Sequence, residues 1–522
     1  MVPLSNAFFA PIATFPQFPD LNLSDDELGM ANWLAMRLFE QRAYFELRWL
    51  YYDAEQRMRD LGISISPTLA KIRPALGWTM VGVDALVHRT VVEGFRFPGA
   101  TDVDDDLMGI WSANNLDAEA PMTHLEAFVS GRAYNVVGSG DDSTNGQPLI
   151  TSESPMNMAV QWDARMRKVA GGVQVYYDGD FSSDMYGAEV AALYVPGTTI
   201  HMAREASFGN PMAARWEVTS RDDHGFDPPI VRMANRQRLT NRDGASEIGA
   251  AWMSTTDSAC RTLAGMEVSR ELHAAPRRYA LGVTESAFQN PDGTPVSKLK
   301  SYMDMLWLLE RDEEGNVPQV GEFKGSDPST FTKVLDAYKE LMSVHMGVPP
   351  SMMGIHADGN PASADAIRAG FEELTQRARS KQLILGTGWA DTMRMALLIR
   401  DGHVAPDAYR IETDWRDPAP STPAGTSDAV TKQITSGAIP ATSDVTLKRL
   451  GYSAVERSRL AQDRDEDQGA SFLQEIAHSL TAKAARVDKG LSNDVISPAS
   501  TTSGRQAVPT PAEVFGGAQR NG

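Results

Sequence analysis

The chain has 522 residues, 42% of them hydrophobic and 22% charged, enough for several domains with buried cores. Its 68 acidic residues outnumber 49 basic ones, for a formal net charge of -19; such a surface repels phosphate polyanions rather than gripping them. The single cysteine, Cys260, excludes an internal disulfide framework and a cysteine-based zinc site, and no stretch approaches the roughly 18 apolar residues of a membrane span.

The first twenty-odd residues are rich in Pro and Phe, have no basic leader region, and read as an arm. A helix is expected from Ser24, with Asp25, Asp26 and Glu27 in its first turn where negative charge is favoured, running through Trp33, Met36, Phe39, Phe45 and Trp49 toward Arg59. Further helices are expected over 67–75, 82–92, 106–115 and 122–132. From about Asn135 to Thr219 the pattern turns to short β-rich runs, 169–177, 189–195, 199–203 and 215–219, separated by Gly, Asp, Ser and Asn. This predicts an antiparallel meander.

A long helix is expected from Ser246 to Ala274, with Ile248, Trp252, Thr255, Ala259, Leu263 and Met266 at 3–4 spacing, ended by Pro276. Cys260 lies in its interior, as an inert buried thiol. Residues 277–326 form a compact insert: a strand near 279–283, a short helix at 298–304, and a hairpin of 305–310 with 317–323 around Arg311-Asp312-Glu313-Glu314-Gly315-Asn316. Asp327 and Pro328 then open a helix whose apolar face is Phe331, Val334, Leu335, Tyr338, Leu341, Met342 and His345, ending at Gly347 before Pro349-Pro350. Residues 351–362 have no period and read as a loop of unusual length, of the kind that is usually functional or disordered. Ser363 caps a helix reaching about Arg400; 406–423 is a Pro-rich linker, about 427–487 is helical again, and the tail from Lys489 is Ser/Thr/Pro/Gly-rich.

Chemistry is sparse. No Gly-Lys dipeptide occurs, so there is no P-loop, and there is no His-Glu-x-x-His. Gly138-Ser139-Gly140 is a turn, and Ser246 in Gly244-Ala245-Ser246-Glu247-Ile248 is a helix cap. His88, His273 and His345 read as structural. Asp102, Asp104, Asp105 and Asp106 could ligate a hard cation, but they precede a helix, where acidic residues offset the helix dipole. Asp463, Asp465, Glu466 and Asp467 read as a solvated turn or helix face. No catalytic residue, metal or cofactor is expected.

Leu263-Ala264-Gly265-Met266-Glu267-Val268-Ser269 leading to Ala275-Pro276-Arg277-Arg278-Tyr279, the run from Leu335-Asp336-Ala337-Tyr338 to His345-Met346-Gly347-Val348-Pro349-Pro350, then Asn360-Pro361-Ala362-Ser363-Ala364-Asp365-Ala366-Ile367, and Val92-Glu93-Gly94-Phe95-Arg96 together resemble the portal proteins of tailed bacteriophages, in particular those infecting actinobacteria. The resemblance spans about 24–480 and implies a mostly helical α+β portal fold. Its parts would be an N-terminal arm (1–23), a wing (24–244, with a return over 379–423), two stem helices (245–275 and 329–348), a clip (276–328), a tunnel loop (349–362), a long helix returning to the wing (363–424), a crown (425–490) and a tail (491–522).

The resemblance further implies a dodecameric homo-oligomeric ring at one capsid vertex of the virion, assembled in the host cytoplasm with capsid and scaffolding proteins. Its axial channel passes double-stranded DNA in packaging and ejection, and it docks the terminase large subunit and later a head–tail adaptor, with no membrane partner. The tunnel loop would present Ser351, Met352, Met353, His356, Asp358 and Asn360; it holds no Lys or Arg, which permits DNA to slide. The clip contact surface would include Arg311, Asp312, Glu313 and Glu314. No strong acidic stripe marks the second stem helix, where Asp336 and Glu340 are balanced by Lys333 and Lys339. Two other readings stay open: another structural virion protein, such as an adaptor or shell subunit, and a metal-dependent nuclease using the Asp102–Asp106 cluster.

Overall fold

Ser24 begins the first helix as the sequence predicts. Its hydroxyl accepts from the Glu27 amide, while the Glu27 carboxylate accepts from the Ser24 amide, a reciprocal capping box. In this computed structural model the residues described are 9–10, 18, 22–56, 74–100, 102–140, 144–183, 185–204, 215–273, 278–282, 317–322, 329–355, 364–419, 423–452 and 456–464. They fall into two units, Met1–Gly425 and Thr426–Gly522.

In the first unit, α1 (Asp25–Tyr52) lies on a six-stranded antiparallel sheet. The sheet is built from β1 (Phe9–Ala10), β5 (Met158–Asp163), β6 (Lys168–Asp178), β7 (Glu189–Val195), β8 (Thr198–Arg204) and β9 (Glu217–Asp223). Its path is β1-β6-β7-β8-β9, with β5 also on β6. Ala31, Leu34, Ala35 and Leu38 of α1 bury against Val173, Leu193, Ile200 and Met202. Gly171 lets the helix approach, because a Cβ there would collide with the Met30 sulfur. The meander over β6–β9 agrees with the sequence expectation.

A second sheet runs β10-β3-β4, from β3 (Arg132–Gly138), β4 (Leu149–Glu153) and β10 (Ile230–Ala234). It shares a larger core with α2 (Trp78–Val87), α3 (Asp105–Ala113), α4 (Leu116–Ser130) and a long helix, Ala364–Asp401. Phe95, Trp111, Phe128, Leu374, Leu385 and Trp389 form its centre, and the Trp111 and Trp389 rings meet edge to face at 5.1 Å. Inside it, His124 is fully enclosed. Trp389 Nε1 donates to His124 Nε2 at 2.8 Å, which leaves the proton on Nδ1 to face Thr90 Oγ1 at 3.2 Å. Desolvation pushes the imidazole down to about 3.

The long helix is tied to both neighbours by one buried polar cluster. Lys381 donates to Glu247 and, at 2.7 Å, to Asn235 Oδ1; Asn235 Nδ2 donates to Glu247 Oε1 at 2.9 Å. All three are buried. Burial lowers the Lys381 ammonium from its ordinary range, with Glu247 opposing that effect.

Several expectations are corrected. α1 ends at Tyr52, where Asp53 caps it, short of Arg59. The helix expected over 82–92 ends at Val87, and Val92 instead opens strand β2 (Val92–Arg96). α4 starts at Leu116 rather than 122 and carries Pro121 inside it, as its sixth residue. The 406–423 passage is not only a linker: Glu412–Trp415 forms a strand, β13, antiparallel to β2. Ser246 turns back to accept the Ile248 amide at 2.9 Å, so the next helix starts at Ala250. Strand β12 (Gln319–Glu322) pairs with β11 (Arg278–Leu281); the 298–304 helix, the 305–310 strand expected to pair there, and all of the expected 67–75 helix but its last two residues, which are not helical, lie outside the described residues. Strand content exceeds the mostly helical expectation, with four sheets among the described residues.

The second unit contains most of a helix at Pro423–Thr435, another at Asp444–Leu450, and helical residues 456–464. Arg457 donates to Asp444 at 2.9 Å and Arg464 to the Thr442 carbonyl at 2.7 Å, joining its last described turns.

Lys381→Met is expected to cost about 3–5 kcal/mol by stranding the Glu247 carboxylate, read as a fall in the denaturation midpoint. Lys381→Met with Glu247→Leu should recover most of that loss. His124 gives a pH signature. Its folded pKa is lowered, so between 6.5 and about 3 the unfolded chain takes up a proton that the fold refuses. Stability at this site therefore falls as pH drops through that window, by at most about 1.4 kcal/mol per pH unit. Chemical denaturation of wild type and His124→Asn across pH 6.5 to 5 should show the shallower slope in the variant.

Candidate channel segment

Two helices carry the channel expectation, α5 (Ala250–His273) and α6 (Ser329–Met346). They pack antiparallel. Trp252 Nε1 donates to the His345 carbonyl at 3.3 Å near one end, and Gly265 sits beside the Phe331 ring further along. Antiparallel β11 and β12 follow α5 and precede α6 in the chain, so the helices and strands make one continuous hairpin in sequence order. Cys260 is buried in α5, and desolvation raises its thiol to about 11, an unreactive state.

The end of α6 is fixed from three sides. Gly347 adopts φ +67, a left-handed cap that favours glycine. Ser343 Oγ donates to the Val348 carbonyl at 2.7 Å. Arg377, on the long helix α7 (Ala364–Asp401), donates from one terminal nitrogen to the His345 and Met346 carbonyls at 3.2 and 2.9 Å, while its Nε donates to Glu373. A guanidinium there satisfies orphan carbonyls and opposes the negative end of the helix dipole. Gly82 of α2 admits Met346 and Trp252 against its bare backbone.

Beyond the cap the chain does not stay irregular. Pro350–Met353 forms a 3-10 turn closed by Gly354 at φ +74. Of the expected loop residues, Ser351 is exposed, Met352 is half-buried, and Met353 is buried in the main core. Met353 therefore anchors the start of the segment. His356, Asp358 and Asn360 lie outside the described residues, as do Arg311, Asp312, Glu313 and Glu314.

The acidic cluster has an ordinary structural role. Asp104 Oδ1 accepts the Leu107 amide at 2.9 Å as the α3 cap, and Asp106 takes two hydrogen bonds from Arg400, each 2.8 Å. Among the described residues no group of His, Cys, Asp and Glu could hold a metal ion, and no helix is long and apolar enough to cross a membrane.

Sequence reasoning missed Arg377, Lys381, Glu247 and Asn235. Each is a single polar residue in a helix or loop, and only the tertiary fold brings them together. The apolar period of α6 was visible, but its division between two environments was not. Met342 and Met346 are buried, whereas Val334, Leu341 and Val344 are 39%, 48% and 74% exposed.

A family model described as "Phage portal protein, SPP1 Gp6-like" matches residues 38–450. The portal protein of Mycobacterium phage D29 is 33% identical over 471 residues, covering 89% of this chain and 92% of its own. The portal protein of Mycobacterium phage L5 is 32% identical over 430 residues, covering 81% and 85%. Among solved structures, a chain in the virion of a native gene transfer agent particle aligns at 16% identity and TM-score 0.41, covering 72% of this chain and 89% of its own. A chain in the neck of an empty particle of that kind, computed with C6 symmetry, aligns at 15% and 0.43, covering 77% and 97%. On the family match and the two mycobacteriophage relatives, this chain belongs to the SPP1 Gp6-like family of phage portal proteins.

Proposed function

We propose that identical copies of this chain close into a dodecameric ring at one capsid vertex, acting as a structural conduit rather than a catalyst. The observation that carries this reading is the bare face of α6. One side of that helix is buried on α5 and the core, yet Val334, Leu341 and Val344 remain exposed at helical spacing on the other. A row of large apolar side chains along a well-formed helix marks a surface for another protein. In a ring, the next copy covers it.

In this reading α5 and α6 are the stem around an axial channel. The 276–328 segment is the clip, which meets the terminase large subunit during packaging and a head–tail adaptor afterwards, with Arg311, Asp312, Glu313 and Glu314 in its contact surface. Residues 24–244 with 379–423 form the wing and 425–490 the crown. The segment from Pro349 to Ala362 is the tunnel loop, fastened at one end by Met353. Its free part offers His356, Asp358 and Asn360 to the channel and carries no Lys or Arg, so double-stranded DNA meets no cationic trap. The ring assembles with capsid and scaffolding proteins in the host cytoplasm and remains in the virion neck.

Two outcomes test this. Val344→Asp should leave the fold intact, since the side chain is exposed in the single chain, yet weaken self-association by about tenfold or more because a carboxylate would be buried without a partner. Sedimentation velocity reads it; unchanged association contradicts the stem interface. Removing residues 356–360 while keeping Met353 should leave rings intact but reduce the DNA retained per particle, and full packaging with normal retention would refute the tunnel-loop role.

A further inference from the structure

A ring of identical copies is joined head to tail, so each copy must offer two different patches that fit one another. The α6 face is apolar. A second surface stands out by charge: an open groove of about 680 Å³ between α1, the loop before α5, the first turn of α5, and α7. In a chain of net charge -19, this groove is lined by Arg48, Arg236, Arg238, Arg377 and Lys381 against one carboxylate, Glu247. Lys381 is consumed by Glu247, and Arg377 by the α6 cap and Glu373.

The other three cations face less competition. The Arg48 guanidinium lies 3.5 Å from the Tyr44 ring centroid, and its Nε is buried with no partner among the described residues. Arg236 is held by the Ser246 carbonyl at 3.1 Å and stands 4.0 Å from Glu247. Arg238 is exposed, and among the described residues only its backbone is paired, with Asn241. The first turn of α5 lines the same groove without an acidic side chain to offset its partial positive charge.

Tyr44 and Arg48 also belong to α1, whose inner face is spent on the six-stranded sheet. Its outer face still exposes Trp33, Met36, Leu47 and Leu50, an apolar shoulder on the helix that forms one wall of the groove. We infer that the cationic groove and the outer face of α1 seat a carboxylate-bearing surface of the adjacent copy of this chain. The inference rests on the ring reading. Charge complementarity favours this occupant: a second copy of this acidic chain brings an excess of carboxylates to a groove whose cations outnumber its one carboxylate. A nucleic-acid backbone fits less well, since it would leave the apolar shoulder wet and would approach through the field of a strongly acidic protein.

The test is self-association of the full chain at low and high salt, for wild type, Arg238→Glu, Arg238→Ala and Leu47→Ser, with circular dichroism as the check on folding. Arg238→Glu should weaken ring formation by about tenfold or more and flatten its dependence on salt. Arg238→Ala and Leu47→Ser should weaken it less, in the same direction. Rings of Arg238→Glu and Arg238→Ala as stable as wild type, with the same salt dependence, overturn the groove assignment and leave the ring reading standing. Wild type that stays monomeric at every salt overturns both. A short DNA duplex that binds wild type and not Arg238→Glu, with assembly unchanged, assigns the groove to nucleic acid and also overturns the inference.

Discussion

The fixed relation between the α5–α6 pair and the long helix α7 depends on two polar contacts made one helical turn apart on α7. Arg377 satisfies the carbonyl end of α6, and Lys381 is buried with Glu247 and Asn235. The first contact holds the end of α6; the second holds the residues just before α5. The second uses charge in a poorly solvated place, where an unmatched partner is strongly destabilising. Direction is therefore specified by ions and bulk stability by the aromatic core around Trp111 and Trp389.

That division suits a ring subunit. Apolar packing tolerates small slides between surfaces, whereas a guanidinium bonded to two helix-end carbonyls does not. Met353 extends the same logic, since its buried side chain fixes the 3-10 turn of Pro350–Met353 to the core.

How much of this was legible in the sequence varies with the range of the interaction. The α1 start was legible because capping is local: Ser24 and Glu27 sit three residues apart. Strands β6 to β8 were legible because neighbouring strands in a meander are also neighbours in sequence. Strand Val92–Arg96 was missed, the expected helix taking only its first residue, because its partner, β13, lies more than three hundred residues away. Sequence distance also hid the Lys381 cluster, whose other members lie 146 and 134 residues earlier, just after β10 and in the loop before α5. The bare side of α6 was hidden for another reason: apolar spacing reports that a face is buried, not whether the cover is the same chain or another. In the proposed ring the cover is another copy.

Imaging the assembled protein along its symmetry axis tests the account most directly. The account predicts a closed ring with an open centre, α5 and α6 around the opening, and the chain following Met353 nearest the axis. A particle without an opening, or one with that segment at the outer rim, would contradict it.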